Sequence, residues 1–277
     1  MCLFFIQYFK YGIDASVLAN PAFSTEQMHY ILNGFKHGID VSLYADPNFN
    51  TEQMAMIQYA LENKLDVSSF ADQKFSKDQM QISIIRYGLE SGLDVSLYAD
   101  PKFSDDQMDM IRIGLEKGLN VSVYADPVFS TEQMLQIRKG LEAGVDPDLY
   151  AKPEFSPYQI YQIKSGLQHG LDPAVVAIYA DPKYDGYQMS EIRDGLEHFV
   201  DVTIYADPKF DDAQMYYIRE GLEHGIDVSE YADPSISAEQ MRETKNDMIA
   251  DKQAQDISDQ NEPEAEDDSL EDVDFEH

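Results

Sequence analysis

Apolar residues recur along this chain in short helical runs, each opened by a polar cap and closed by glycine. After Ser104, the residues Met108, Ile111 and Leu115 fall at i, i+3 and i+7, one face of a helix. Ser104 is a good N-cap, and Gln107 stands three residues on, at capping-box spacing; Phe103 and Met108 bracket the cap as a hydrophobic staple. Gly118 supplies the left-handed residue that ends such a helix, so the pattern predicts about three turns. Pro157, directly after cap Ser156, sits at the first helical position, where no N–H is needed. A second, shorter helix is predicted beside each long one. Asp94 caps Val95 to Ala99, and Pro101 stops the run by forcing Asp100 out of helical geometry.

This pattern repeats. Units begin at Leu18, Tyr44, Phe70, Tyr98, Tyr124, Tyr150, Tyr179, Tyr205 and Tyr231, spaced by 26 residues six times, by 28 once and by 29 once. Gly34, Gly88, Gly114, Gly140, Gly166, Gly195 and Gly221 share one position on the apolar face, where a missing side chain lets a neighbouring helix approach. A three-turn helix with so narrow a stripe is not stable alone, and stacking of units buries the stripes in one continuous core. The expected fold is all-α: an αα-solenoid of about eight 26-residue helix-turn-helix repeats over residues 18–250, an incomplete N-terminal repeat over 1–17, and a disordered acidic tail over 251–277.

The stretch YADPKFDDAQMYYIREGLEHGIDVSEYADP, Tyr205 to Pro234, resembles a family of short YADPxFxxxQMxxIRxGLxxGLDVxxYADP helical repeats of low-GC Gram-positive gut bacteria and their mobile elements. The resemblance covers about residues 6–243. It implies an accessory or interaction role and transfers no catalytic residue.

The ends depart from the repeat. Aligned back from Gly12, the chain opens inside a long helix without cap or staple; Leu3, Phe4, Phe5 and Phe9 are left partly uncovered, so self-association is expected at this end. At the other end Ser237 and Gln240 keep the capping box, but Thr244 and Met248 replace the apolar pair, and polar Arg242, Glu243, Lys245 and Asn246 suit a terminal cap. Residues 251–277 then hold 12 acids and one lysine, the composition of a disordered segment.

Charge narrows the function classes. The 277 residues carry 52 acids against 20 Lys and Arg, a net charge of −32, and removing the tail still leaves 40 acids against 19 bases. That field opposes direct binding to nucleic-acid phosphates or an anionic membrane. A single cysteine, Cys2, excludes an internal disulfide framework, and the opening MCLFFIQYFK has neither the basic region of a signal peptide nor the length of a span. A cytoplasmic protein is expected.

Nothing in the sequence has the spacing of a nucleophile elbow, phosphate loop, dinucleotide fingerprint or zinc site. His37, His169, His198 and His224 share the last position of the long helix, where a histidine meets free carbonyls and the negative helix end, at a separation too large to ligate one metal. The YADP aspartates, among them Asp46, Asp100, Asp126, Asp181, Asp207 and Asp233, read as turn residues before proline. Arg86, Arg112, Arg138, Lys164, Arg193 and Arg219 form a basic ladder, expected to pair with Glu at i+4 or with a YADP carboxylate of an adjacent unit.

Departures from the repeat are where a unique site is sought. The unit at Tyr44 has Gln58, Ala60 and Lys64 for a base and two glycines. The next has Phe70 for Tyr, Gln73 for Pro, and two extra residues placed in its long helix. A three-residue expansion, Pro173 to Ala177, precedes Tyr179, and Phe199 replaces a capping glycine. Tyr158, Tyr161, Tyr187, Tyr216 and Tyr217 lie outside the apolar stripe and are the candidate partner-binding residues. The expected function is a non-enzymatic scaffold that presents an acidic helical surface to a basic or nucleic-acid-binding protein, with no cofactor or metal. The alternative is an acidic nucleic-acid mimic that inhibits a DNA- or RNA-binding defence or restriction enzyme.

Overall fold

The computed structural model describes residues 17, 20–68, 70, 71 and 79–261. These residues are all-helical, with ten α-helices and no strand among them. Eight helices have twelve residues each: α1 Thr25–Lys36, α2 Thr51–Glu62, α3 Gln79–Glu90, α4 Asp105–Glu116, α5 Thr131–Glu142, α6 Pro157–Gln168, α8 Gly186–Glu197 and α9 Asp212–Glu223. Helix α7, Pro173–Val176, is a single turn, and α10, Ala238–Asn261, is the longest. The chain divides into two compact units, residues 1–169 and 170–277, just before the expansion that forms α7. In the first unit α1 to α6 pack in chain order, each on the next; in the second α8 packs on α9 and α9 on α10. The N-terminal residues expected to self-associate, and the acidic residues beyond Asn261, lie outside the described residues.

The caps form as expected. Ser24, Asn50, Ser104, Ser130, Ser156, Asp185 and Asp211 each accept the N–H of a glutamine three residues on, and its Oε1 accepts the cap's own N–H. That glutamine has a second role that capping logic does not reveal. Its Nε2 reaches the turn that follows the next short helix: Gln107 donates to the carbonyls of Pro127 and Phe129, at 3.3 and 2.6 Å. Gln27, Gln133, Gln188 and Gln214 make the same pair of bonds, 20 and 22 residues on. One buried side chain thus caps its own helix and ties it to the next turn.

The same bond corrects the reading of the unit at Phe70. There Gln81 donates to the Phe103 carbonyl at 3.0 Å, so Gln81, not Gln79, holds the linking position. Helix α3 keeps twelve residues, and the two extra residues precede it. A helix lengthened by two would rotate its apolar stripe by about 200° at 3.6 residues per turn, which the stacked core forbids.

The short helices are shorter than expected. Val41–Leu43, Val95–Leu97, Val121–Val123, Pro147–Leu149, Val202–Ile204 and Val228–Glu230 are single 3-10 turns. Between the Asp cap and the YADP turn there is room for one turn only, which the tyrosine N–H closes on the carbonyl three residues back, at 3.0 Å for Tyr44 and 2.9 Å for Tyr124. Among the described residues only the expanded segment manages an α-turn there, α7.

The YADP tyrosines are the core. Tyr44, Tyr98, Tyr124, Tyr150, Tyr179 and Tyr205 are fully buried, and Tyr231 nearly so. Each hydroxyl of Tyr44, Tyr98, Tyr124, Tyr150, Tyr205 and Tyr231 lies over the glycine ten residues before it. A Cβ on Gly114 would overlap the Tyr124 hydroxyl and come within 2.8 Å of Val121 Cγ1. The glycine therefore admits the ring that opens the following unit. Several hydroxyls donate to the helix backbone, Tyr124 to the Met110 carbonyl at 3.2 Å and Tyr205 to the Glu191 carbonyl at 3.1 Å. At the one unit where alanine stands in place of this glycine, Ala60, the tyrosine is Phe70, and both are buried.

Burial pushes the Tyr124 and Tyr231 phenols up to about 12, and those of Tyr44, Tyr98, Tyr150 and Tyr205 higher still. A folded pKa above the unfolded value of about 10 means this stabilisation is complete below pH ~10 and lost as pH rises. Alkaline titration should therefore ionise the buried tyrosines in one cooperative step with loss of helical circular dichroism. Tyrosinate absorbance from this set appearing before the helix signal falls would contradict that packing.

The long helices end at left-handed residues: Gly38, Gly92, Gly118, Gly144 and Gly225, with φ of 67 to 74°. Lys64 and Phe199 hold the same conformation, φ 59° and 60°, at about 1–2 kcal/mol each. Helix α10 runs through Asn261, past the boundary expected at 251. Its Lys252 Nζ donates to the His224 and Gly225 carbonyls at 2.8 and 3.0 Å, anchoring the extension on the exposed end of α9, and Ala, Gln and Lys are good helix formers.

Candidate interaction surface

With most Met and Ile of the stripes buried, the second and fifth helical positions face outward. Tyr158 and Tyr187 occupy the second position, Tyr161 and Tyr216 the fifth, and Tyr217 the sixth. Four of the five are exposed, Tyr187 most of all at 63%, whereas Tyr217 is half-buried. Tyr158 and Tyr161, on α6 of the first unit, stack in parallel with ring centres 6.0 Å apart. Tyr216 and Tyr217, on α9 of the second, meet edge to face at 5.2 Å. Both pairs carry a cation on a ring: Lys164 lies 5.1 Å from the Tyr161 centre, Arg219 5.3 Å from Tyr216, and Lys245 5.4 Å from Tyr217.

The basic ladder is spent largely on internal pairs. Arg86 bonds Glu90 at 2.8 Å, Arg112 bonds Asp109 and Glu116 at 2.7 and 2.6 Å, and Arg138 bonds Glu142. In the second unit Arg193 bonds Asp194 and Glu197, and Arg219 bonds Glu191 of the preceding helix as well as Glu223. Lys245, expected on a polar terminal cap, continues the ladder: it is buried and pairs with Glu220 of α9. Among the described residues these ladder pairs use helix carboxylates rather than the YADP carboxylates. Those accept the N–H two residues on, at 2.8 to 3.0 Å for Asp46, Asp100, Asp126, Asp181, Asp207 and Asp233. These backbone bonds hold the Asp181 and Asp233 carboxyls below the usual range.

Two helix-end histidines meet carbonyls as expected: His198 Nδ1 lies 2.7 Å from the Asp194 carbonyl and His224 Nδ1 2.7 Å from that of Glu220, whereas His37 contacts the Glu62 side chain of the next helix at 2.7 Å instead. Among the described residues no three His, Cys, Asp or Glu converge as a metal site, and no helix is long and apolar enough to cross a membrane.

The structure adds two features. Phe199 is 95% exposed in its left-handed turn, an apolar side chain held out into solvent; its signal was an aromatic at a glycine position. A groove of about 260 Å³ lies between α1, α2 and α3, lined by Tyr30, Glu52, Ala55, Met56, Ile82 and Arg86. It opens because Ala55 and Ser83 are small where α4, α5, α6 and α9 carry Asp109, Leu135, Tyr161 and Tyr216. No family model, curated protein or solved structure matches this chain.

Proposed function

We propose that the chain is a non-enzymatic cytoplasmic scaffold, an αα-solenoid of about eight 26-residue repeats that presents an acidic surface to a basic protein partner. The observation that carries the reading is the pairing of exposed tyrosines on helix faces, Tyr158 with Tyr161 and Tyr216 with Tyr217, in a chain of net charge −32. Aromatic side chains with few rotamers are efficient anchors, and the surrounding charge steers a basic partner to them. The solenoid is supported by the recurring glutamine link: the same two bonds at the same spacing in both units iterate one geometry along the chain.

The nucleic-acid mimic is the second reading, favoured by the carboxylate that recurs at each YADP turn. The pairing of Glu116, Glu142 and Glu223 with ladder arginines weighs against it, because it cancels charge that a mimic would display. Capture of partners from source-cell lysate, eluted in rising salt, separates the two. A basic protein that elutes with salt and ignores added DNA supports the scaffold; a nucleic-acid enzyme displaced by DNA supports the mimic. With the captured partner, Tyr161→Ala combined with Tyr216→Ala should weaken binding about tenfold or more without changing the melting temperature. Unchanged affinity would remove the tyrosines from the interface.

A further inference from the structure

The basic ladder has one irregular rung. Arg86, Arg112, Arg138, Arg193 and Arg219 each pair with a carboxylate on their own helix. Lys164 of α6 pairs with none among the described residues. Carboxylates meet the ladder from five places: three residues back, as Asp109 meets Arg112; the next residue, as Asp194 meets Arg193; four residues on; and the sixth and ninth positions of the preceding helix, as Glu191 meets Arg219 and Glu220 meets Lys245. Around Lys164 those places hold Tyr161, Ser165, Gln168, Gln136 and Lys139. Lys164 is only 5% exposed, and its Nζ donates one hydrogen bond, to Gln136 Oε1 at 3.1 Å. The second cation, Lys139, is exposed on α5. Burial and then the Lys139 charge depress the Lys164 amine below the ordinary lysine range. A desolvated ammonium without an anion is costly, and the adjoining Tyr161 ring compensates it only in part.

We propose that Lys164, with Lys139, Gln136 and Tyr161, forms a binding site on α5 and α6 for a carboxylate supplied from outside the fold. The class follows from the array, since a carboxylate meets the cation at each of the other rungs, most often from four residues on. Lys164 supplies the charge-assisted hydrogen bond, with its long stem letting the ammonium reach the surface beside Tyr161, and Lys139 supplies the attracting field. The exposed, stacked Tyr158–Tyr161 pair gives the carbon skeleton of the ligand a flat wall. This site shares the Tyr158–Tyr161 face with the proposed partner surface but takes an anion where that surface takes a cation.

The test is calorimetric titration of the full chain at low ionic strength with N-acetylglutamate and, separately, with a pentaglutamate peptide. Saturable one-to-one binding of either is expected, the free acid pointing to a small organic acid as the natural ligand and the peptide to an acidic side chain. Two variants carry the argument. Lys164→Gln should lose about tenfold or more in affinity, the scale of one charge-assisted hydrogen bond. Gln168→Glu restores the carboxylate found at other rungs; it should abolish binding while keeping or raising the melting temperature, so that a folding defect does not explain the loss. Absence of saturable binding by both probes, unchanged binding in Gln168→Glu, or equal competition by inorganic phosphate would each overturn the proposal.

Discussion

Gly114→Ala should destabilise the first unit by about 3 kcal/mol, and Tyr124→Phe should restore much of that loss. The added methyl has nowhere to go. It would overlap the Tyr124 hydroxyl on one side and come within 2.8 Å of Val121 on the other, and both are buried against helix backbone that neighbouring helices hold in place. Tyr124→Phe by itself should cost about 1 kcal/mol, through loss of the hydroxyl's bond to the Met110 carbonyl at 3.2 Å. In the double variant the vacated hydroxyl volume accepts the methyl, so the two changes should be strongly non-additive, with a coupling of about 2 kcal/mol in favour of the pair. The chain already contains this combination: Ala60 and Phe70, both buried, stand at the same ten-residue separation, with Val67 in place of Val121. Urea melts of the four proteins of the cycle decide the matter. An equal cost of Gly114→Ala with and without the Tyr124→Phe change would mean that the hydroxyl is not what the glycine accommodates.

Gln133→Glu is expected to cost about 3 kcal/mol at neutral pH, more than Gln133→Ala, although it is the closer isostere. One carboxylate oxygen can still accept from the Ser130 N–H, which Gln133 Oε1 does at 2.7 Å. The other would replace Nε2, which donates to the carbonyls of Pro153 and Phe155 at 3.0 and 2.6 Å. Two acceptors would then face a buried negative charge. Those same carbonyls raise the introduced carboxyl's folded pKa above its unfolded value of about 4.3, because only the protonated form donates. With the folded pKa raised, the variant is relatively most stable at low pH and loses stability as pH rises through that value. Thermal melts of both variants across acidic and neutral pH should show Gln133→Glu approaching the wild type only at the acid end. A deficit for Gln133→Glu that does not change with pH would mean that the link does not depend on the donated hydrogen bonds.

The glutamine illustrates how far a linear pattern reaches. Its place in a capping box was legible because the box is local, three residues from Ser to Gln. Its bonds 20 and 22 residues away were not, since they depend on how one turn stacks over another. The two extra residues near Phe70 were assigned to a helix for the same reason: sequence spacing counts residues, whereas the link at Gln81 shows where the helix begins. The candidate tyrosines were placed on outward positions by the 3.6-residue period, and four are exposed. The stacking of Tyr158 on Tyr161, and the cations over both pairs, emerged only with the tertiary structure.

Caps, stripes, stop signals and period were therefore set by the sequence alone, because each rests on groups within one helical turn or on the repetition of a unit. Tertiary structure decided three things. It set the hydroxyls of six core tyrosines over a glycine ten residues earlier, so that Ala60 and Phe70 read as one compensated change instead of two departures. It turned the glutamine of the capping box into the tie between successive units. It also showed that, among the described residues, Lys164 lacks the carboxylate that the other rungs possess, because the groups meeting its ammonium come from α5 as well as α6. These are matters of volume and of unpaired charge in a desolvated interior. Such quantities belong to the surroundings of a residue, which its position in the chain does not record.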